Sequence, residues 1–457
     1  MAFDFDQDPL DRMAPNFSLT IEGNWVPENI RGMIERIEYE EADGMADLLR
    51  IRINDSLDPD GKMRIRDSRL FMPGNAVSVW MGYGASIRHI GRAIIRRVRP
   101  TFPGGGPPTM EIVGYTADSL MADSAPEALK ETKNLKKGGV RVKNSKAGRT
   151  WTQAKYSEAV RDRAEAYGFL TDIDDTPEPP TDFIQKANMT DFDFIQGIAN
   201  LTGFVFWVDG DEHGEWTLHF RDPNKLQQSD VQDQVYTFKY GDGDFSTLLN
   251  FEPELGIQGS ITKLLVQTKD PISGKVLQAS IEEENDDAPD LTIEPNNARS
   301  ATDARTNAVR FGRSSQLDQR SQVDLEGNGM SGPIATASDV KIFIEDFSFA
   351  IKANRRFRNE AELAAWAAQW FRRHRENFML SRGTIVGVES IRARQIHKLS
   401  GLGTAYDGEY QFTRVRHIMD ATQGYLVDFN ARRVVPKLPP VTPQSELQVI
   451  DLLVGPV

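Results

Sequence analysis

A mainly β chain interrupted by an α+β insertion is the fold class this sequence predicts, and three observations predict it. Residues 17–122 and 235–435 break into short runs rich in Val, Ile and aromatic residues, divided by Gly, Pro and Asp-rich turns. Between them, two stretches carry apolar residues at helical spacing and are followed by an aromatic hairpin pattern. No apolar run approaches the ~20 residues needed to span a bilayer, so no membrane anchor is expected. At 457 residues and roughly 150 residues per domain, about three domains are expected. The boundaries read as a first β region at 1–122, the insertion at 123–234, a second β region at 235–435 and a C-terminal tail at 436–457.

In the first region the strand-like runs are FSLTIEGNWV, GMIERIEYEEADGMADLLRIRIND, AVSVWMGYG, IRHIGRAIIRRVRP and TMEIVGYTADSL. Phe102–Pro108, FPGGGPP, reads as a hairpin connection, because its glycines and prolines cannot sustain a ladder. Arg88, Arg92, Arg96, Arg97 and Arg99 form one dense basic run, and strand alternation places Arg97 and Arg99 on one face with Arg96 on the other. No aromatics interleave them as a stacking groove for nucleic acid would require, which favours ion pairs with an acidic neighbouring subunit.

The insertion begins with the basic, Gly-containing segment 130–150, expected to be an exposed linker or arm. A helix is predicted over Trp151–Tyr167, with Tyr156, Val160, Ala164 and Tyr167 at helical spacing and Gly168 as its stop. After the rigid linker DTPEPPTD a second helix starts at Thr190, where Thr190 and Asp193 have capping-box spacing, and Gly203 ends it. Strands are expected at Phe204–Asp209 and Glu215–Arg221.

The β pattern resumes with QVYTFKY, SITKLLVQTKD and GKVLQASIEEE. Residues 282–339 are poor in large apolar side chains and read as an excursion or functional arm before a strand at Asp339–Ile351. Asn359–Leu380 has a capping pair, Asn359 and Glu362, and an apolar stripe including Leu363, Trp366, Trp370 and Phe371, which predicts a helix over 359–380. A strand at Thr384–Ala393 precedes a closing hairpin of Tyr410–His417 and Gly424–Arg432, whose apolar and polar residues nearly alternate. The tail is proline-rich and then apolar. Leu438, Leu447, Val449, Ile450, Leu452 and Leu453 are its candidate partner-binding residues, by strand addition or groove docking, unless the tail straps its own subunit.

Composition narrows the function further. A net charge of -13 argues against a protein built to grip nucleic acid sequence-specifically, and suits a conduit through which DNA slides. Zero cysteines exclude disulfides and thiolate metal sites, which fits synthesis in a reducing cytoplasm. The start, MAFDFDQDPLDRM, has no basic and apolar leader pattern. The six histidines, His89, His213, His219, His374, His397 and His417, include no pair at the i, i+4 spacing of a helical zinc site. His374 reads as a core residue, while His213 and His219 flank one strand and share a sheet face only if the register holds. No strained serine elbow and no phosphate-binding glycine loop is present. No catalytic residue, metal or cofactor is therefore expected.

One pattern reaches beyond fold class. The closing hairpin runs "G-x-Y … V-x-H … G-Y … F-x-x-R" at Gly408, Tyr410, Val415, His417, Gly424, Tyr425, Phe429 and Arg432. Together with Ile87–Leu120 and Asp182–Arg221 it resembles the phage late control gene D family, the VgrG-like tail hubs of contractile phages and related injection systems. The resemblance implies two hub-type β-barrel domains related by pseudo-duplication, with the α+β domain inserted between them. It implies a non-enzymatic homotrimer at the baseplate of a virion tail, synthesised in the host cytoplasm. The implied partners are a central spike trimer, tail-tube or tube-initiator proteins, baseplate wedge proteins and a tape measure protein in the lumen. His417 falls on a recurrent position of that family, with a structural role. Two other functions stay open at the level of sequence: a tail-associated peptidoglycan hydrolase, and a carbohydrate-binding attachment module using Trp80, Trp207 or Trp216.

Overall fold

The computed structural model describes residues 14–55, 61–63, 65–123, 135–137, 140–145, 148–176, 183–223, 234–241, 246–255, 263–269, 276–282, 348–352, 363, 366–367, 370–371, 379–403, 406–434 and 442–443. The chain divides into two compact units. One comprises Met1–Glu254, Leu380–Leu402 and Asp407–Arg433, the other Leu255–Met379, Gly403–Tyr406 and Val434–Val457.

The first unit opens with β1 (Pro15–Ile21), β2 (Asn24–Trp25), α1 (Glu28–Arg31), β3 (Ile34–Ala42), β4 (Leu48–Asn54), β5 (Ala76–Tyr83), β6 (Ser86–Thr101), β7 (Thr109–Tyr115) and α2 (Asp118–Asp123). Alternation dictates which face each strand buries. In β4, Leu49, Ile51 and Ile53 are buried while Arg50 and Arg52 are exposed. The 16-residue β6 pairs with β5 along Ser86–Ile94 and with β7 along Ile94–Thr101, with a register shift between Ile95 and Arg97. That shift leaves Arg97 and Arg99 exposed together, as alternation predicts, while Arg96 forms an ion pair with Asp123. A side chain cannot stand at Gly91: a Cβ there would lie 2.2 Å from the Tyr39 ring, which packs across β6.

The insertion follows as β8 (Leu135–Lys137), β9 (Val140–Ser145), β10 (Gly148–Thr152), α3 (Tyr156–Ala166), β11 (Leu170–Ile173), β12 (Phe183–Lys186), α4 (Asp191–Thr202), β13 (Val205–Gly210) and β14 (Trp216–Arg221). Strands β12-β10-β9-β8 form one sheet, and β11-β14-β13 another. Segment 130–150 is therefore not a linker where it is described but three paired strands, because Leu135, Val140 and Val142 alternate with Lys136, Arg141 and Lys143. The expected helix at Trp151–Tyr167 loses its first turn for the same reason. Trp151 belongs to β10, opposite Val142 and Phe183, and α3 begins only after Lys155, whose N–H donates to Glu158 at 2.7 Å. The second helix keeps its expected ends: Thr190 Oγ1 accepts from the Asp193 N–H at 3.0 Å, and Gly203 takes φ 79°. Trp151 stacks on Phe194 at 4.8 Å and Phe183 at 5.6 Å, at the centre of a core with Ile198, Phe206 and Phe220.

The remaining elements are β15 (Thr237–Lys239), β16 (Leu248–Leu255), β17 (Lys263–Lys269), β18 (Val276–Glu282), β19 (Ser348–Lys352), β20 (Met379–Val386), β21 (Ile396–Ser400), β22 (Gly408–Asp420), β23 (Gly424–Arg433) and β24 (Thr442–Pro443). The closing hairpin is present as β22 and β23, with Phe412 stacked on Phe429 at 4.3 Å. Its β22 also pairs with β3, from Arg414↔Ala42 to Asp420↔Arg36, so both β regions join one 13-stranded sheet. That sheet runs β16-β20-β23-β22-β3-β4-β7-β6-β5-β1-β2, with β21 paired to β22 and β15 to β21. Among the described residues no sheet closes into a barrel, which corrects the expectation of two barrels. The edges of β3 and β22 that closure would need are taken up by each other.

In the second unit, β17 pairs antiparallel with β18 and parallel with β19, and β18 pairs with β24. Leu363, Ala367 and Phe371 are helical and fully buried at i, i+4 spacing. The helix expected to reach residue 380 does not: Met379 and Leu380 begin β20, whose burial alternates through Met379, Ser381, Gly383 and Ile385. The strand expected at Thr384–Ala393 accordingly starts earlier and stops at Val386. Of the expected strand at Asp339–Ile351, residues 339–347 lie outside the described set, as do excursion residues 283–339.

Candidate functional surfaces

Two concentrations of charge stand out in the first unit, one exposed and one largely buried. The exposed one follows from alternation: with Ile, Leu, Val and Phe turned inward, the polar half of each strand lines the opposite face. Across β20, β23, β22, β3, β4, β7 and β6 the register aligns Thr384 with Asp428, Asp428 with Arg416, Arg416 with Glu40, Glu38 with Arg50, Arg52 with Glu111 and Glu111 with Arg99. Arg414 clamps Glu40 through two bonds of 2.7 and 2.8 Å. Arg36 reaches Glu38 at 2.6 Å and Asp420 at 2.9 Å, and Arg52 reaches Glu35 at 3.0 Å. Arg416 pairs with Asp428, which also accepts from Thr384 Oγ1 at 2.8 Å. An open depression of about 560 Å³ lies on this face, lined by Arg36, Glu38, Arg50, Arg99 and Glu111 among others. The lattice largely neutralises itself and crosses the β3–β22 junction without interruption. Such a face offers donors and acceptors to a polar partner.

The second concentration, buried at Glu41 and Arg394, partly buried at His219 and open to solvent at Asp172 and Asp209, joins three segments far apart in sequence. Arg392, in the turn after β20, donates to the His89 carbonyl at 2.8 Å and faces Glu41 of β3 at 3.3 Å. Glu41 also accepts from the Ala393 N–H at 3.0 Å. Two residues on, Arg394 pairs with Asp43 at 3.1 Å and lies 4.3 Å over the Trp207 ring of β13. Trp207 in turn stacks on His219 of β14 at 4.6 Å, and its Nε1–H donates to Asp209 at 2.9 Å. His219 sits between Asp172 at 2.9 Å and Asp209 at 3.3 Å, and Arg221 bonds Asp172 and Asp174. Arg394 holds this position at φ 75°, a left-handed conformation costly for a residue with a side chain.

The electrostatics follow from burial. Desolvation raises the Glu41 carboxyl above its ordinary range although Arg392 and Arg394 oppose it, and raises Asp47 well above its own. Burial pushes Asp118 up to about 6, against a hydrogen bond from Thr116. His219 goes the other way from its burial: the Asp209 and Asp172 carboxylates hold the imidazole above its usual pKa. Burial lowers His89 to about 4 and both His397 and His417 to about 3. All three are neutral; His397 and His417 are hydrogen-bonded, whereas the buried Nε2 of His89 has no partner among the described residues. His417 has its nitrogens 2.8 Å from Tyr425 Oη and 2.8 Å from the Ile391 carbonyl oxygen.

Several sequence expectations can be placed on this geometry. His213 lies in the β13–β14 turn with its side chain 79 % exposed, whereas His219 is inside the network, so they do not form a pair. Among the described residues no group of three His, Asp or Glu could hold a metal ion. Trp80 and Trp207 are buried; Trp25, 61 % exposed, lies tilted against Trp80 with ring centroids 4.8 Å apart. The tail residues Leu438, Leu447, Val449, Ile450, Leu452 and Leu453 lie outside the described residues, as does His374. Thr442 and Pro443, between them in sequence, pair with Ser280 and Ala279 of the same chain. The arginine network was missed at sequence level, although one signal was available: Glu41 occupies the inward register of Ile37 and Tyr39.

No family model matches the chain, and no curated protein matches it. Solved structures do. A tail protein from Neisseria meningitidis MC58 is similar with a TM-score of 0.55 at 10% identity, over 92% of this chain and 97% of that one. The 43 kDa tail protein of prophage MuSo2 from Shewanella oneidensis is similar with a TM-score of 0.54 at 11% identity, over 92% of this chain and 98% of that one. At such identities the likeness is one of fold. The fold of this chain is thus shared with two tail proteins along nearly their whole length. Among the described residues no helix is long and apolar enough to cross a membrane.

Proposed function

We propose that this chain is a structural component of a phage tail or a related injection machine, and within it the hub at the baseplate. The observation that carries the reading is the likeness of fold to two tail proteins over 92% of the chain. In this reading the protein is not an enzyme. It forms a homotrimer, located in the virion tail, that lines the channel and adapts a sixfold tail tube to a threefold spike. Tube-initiator, wedge and tape measure proteins are its further neighbours, and residues 436–457 dock on a neighbouring subunit or the spike, or pack on their own subunit.

Symmetry matching is the physical logic. A chain with two related β regions presents six similar surfaces when three copies form a ring. Supporting the relation between the regions, each contains a long strand with a register shift that swings it between partners: β6 at Ile95/Arg97 and β22 at Phe412/Arg414. The charge lattice, running through both regions, is a surface such a ring could turn toward its neighbours or its lumen. Sedimentation equilibrium of the full chain, alone and with the spike, tests this. A mass three times that of the chain is expected, and a monomer under both conditions would overturn the reading.

A further inference from the structure

Two surfaces of the first unit carry charges of opposite sign that the chain itself leaves unpaired. The first is the open depression over β3, β4, β6 and β7, where Arg36, Arg50, Arg52 and Arg99 stand against Glu38 and Glu111. Arg36 is bound to Glu38 and Asp420, and Arg52 faces Glu35, but Arg50 comes no nearer than 3.8 Å to Glu38. Arg97 stands next to Arg99 in the ladder, level with Arg50 across β7. Arg97 and Arg99 are exposed, and neither has a carboxylate partner among the described residues. The smaller depression near Arg382, Arg414 and Arg416 differs, because those arginines are engaged by Glu252, Glu40 and Asp428. The second surface is the β13–β14 turn. Asp211 Oδ1 accepts from the Glu215 N–H at 2.7 Å, and the Asp211 N–H donates to the Glu215 carbonyl at 2.9 Å, which closes the turn. Glu212 and Glu215 are exposed on it. Glu212 has only the exposed His213 nearby, at 3.7 Å, and Glu215 has no cation partner among the described residues.

We infer that the acidic β13–β14 turn of one copy of this chain docks in the arginine-lined depression of a second copy. The inference rests on the homotrimeric reading above and names a contact that closes the ring. Within one chain the two surfaces are out of each other's reach. Arg92 of β6 lies against the turn, near Gly214 and 5.8 Å over the Trp216 ring. Arg99 is seven residues further along the same strand, roughly 23 Å away. A ring of three needs such a separation, because each copy meets its two neighbours through two different surfaces. Charge selects the pairing. Arg97 and Arg99 offer guanidinium forks, and Glu212 and Glu215 offer the carboxylates that such forks bind in bidentate fashion. The turn is already closed by its own hydrogen bonds, so docking orders little new backbone. Nucleic acid fits less well, since its uniform phosphate charge would meet Glu38 and Glu111 in the same depression.

The test is sedimentation velocity of the full-length chain with charges exchanged between the two surfaces. Arg97→Glu/Arg99→Glu and Glu212→Arg/Glu215→Arg are each expected to weaken self-association about tenfold or more, with unchanged circular dichroism spectra. The two variants move the net charge in opposite directions, so a general charge effect would not weaken both. Combining all four substitutions recreates the pairs with their signs exchanged and is expected to restore assembly to within about threefold of wild type. Variants that assemble as wild type overturn the docking and leave the hub reading intact. So does weakening by one variant alone, or a folded combination that stays weak. An Arg97→Glu/Arg99→Glu trimer that forms normally but no longer binds the spike overturns the self-contact in favour of that partner. A wild type that is monomeric with and without the spike removes the docking and the hub reading together.

Discussion

On the outer face of the sheet Arg52 and Glu35 meet at 3.0 Å with side chains 62 % and 37 % exposed, whereas Arg392 and Glu41 meet at 3.3 Å with Glu41 only 5 % exposed. The two pairs share chemistry and nearly share distance, yet they do different work. In the exposed pair water already solvates both partners, so the pair is worth about 0–1 kcal/mol and salt weakens it. In the buried pair each charge depends on the other, and on the Ala393 N–H and His89 carbonyl, for what water no longer supplies. The outer polar face is thus held loosely while the junction beneath it is held tightly.

The largest effect should come from breaking the buried side. Arg392→Ala leaves Glu41 without its nearest cation, and about 3–5 kcal/mol of stability is expected to be lost in urea denaturation. The double variant Arg392→Met/Glu41→Leu should lose less than the single one; an equal or greater loss would show that packing, not charge, dominates there.

Arg394 sharpens the contrast through its backbone. Both Arg394→Ala and Arg394→Gly remove the Asp43 and Trp207 contacts, but only glycine accepts φ 75° freely. Arg394→Gly should therefore be more stable than Arg394→Ala by about 1 kcal/mol; equal melting curves would argue against strain at this position.

A pH series sorts buried from exposed groups in another way. Burial holds native His417 down at about 3, while an unfolded imidazole titrates near ~6.5. As pH falls below ~6.5 the unfolded chain takes up a proton that the native chain refuses, so stability falls by up to about 1.4 kcal/mol per pH unit until the native group titrates. His397 contributes the same sign, while Asp118, pushed up to about 6, contributes the opposite one. The stability difference between wild type and His417→Gln isolates the one residue, and it should shrink from pH 7 toward pH 4. A constant difference would mean that native His417 takes up its proton over the same pH range as an unfolded imidazole.

Thr190→Ala removes the cap of α4 and should cost about 1 kcal/mol. Smallest of all, Arg52→Ala should change stability by less than about 1 kcal/mol, and by less still in high salt. A large loss there would mean that the outer lattice is structural after all.

Much of the local structure was legible in the residues. Thr190, Asp193 and Gly203 mark the ends of α4 because caps are short-range chemistry. The closing hairpin was readable from alternation through Phe412, Val415, Val427 and Phe429, all buried. Expectation failed where a neighbour distant in sequence decided the outcome. Trp151 lies in a strand rather than a helix because Val142 and Phe183 flank it. Residues 379–380 leave the predicted helix because Leu380 pairs with Arg432. The buried network was less legible still, since nothing near Arg392 or Arg394 in sequence announces Glu41, Asp43 or Trp207.

By itself the sequence determined the mainly β character, the acidic balance with its two basic stretches, and the helix α4 with its ends. Each of these depends on periodicity, charge or capping within a few residues. Only the tertiary structure decided that β3 meets β22, that one open sheet takes the place of two closed barrels, and that Arg394 lies against Trp207. Those outcomes depend on which edges and faces remain free once the local elements exist, and a pairing between residues hundreds of positions apart leaves no periodic trace in either partner.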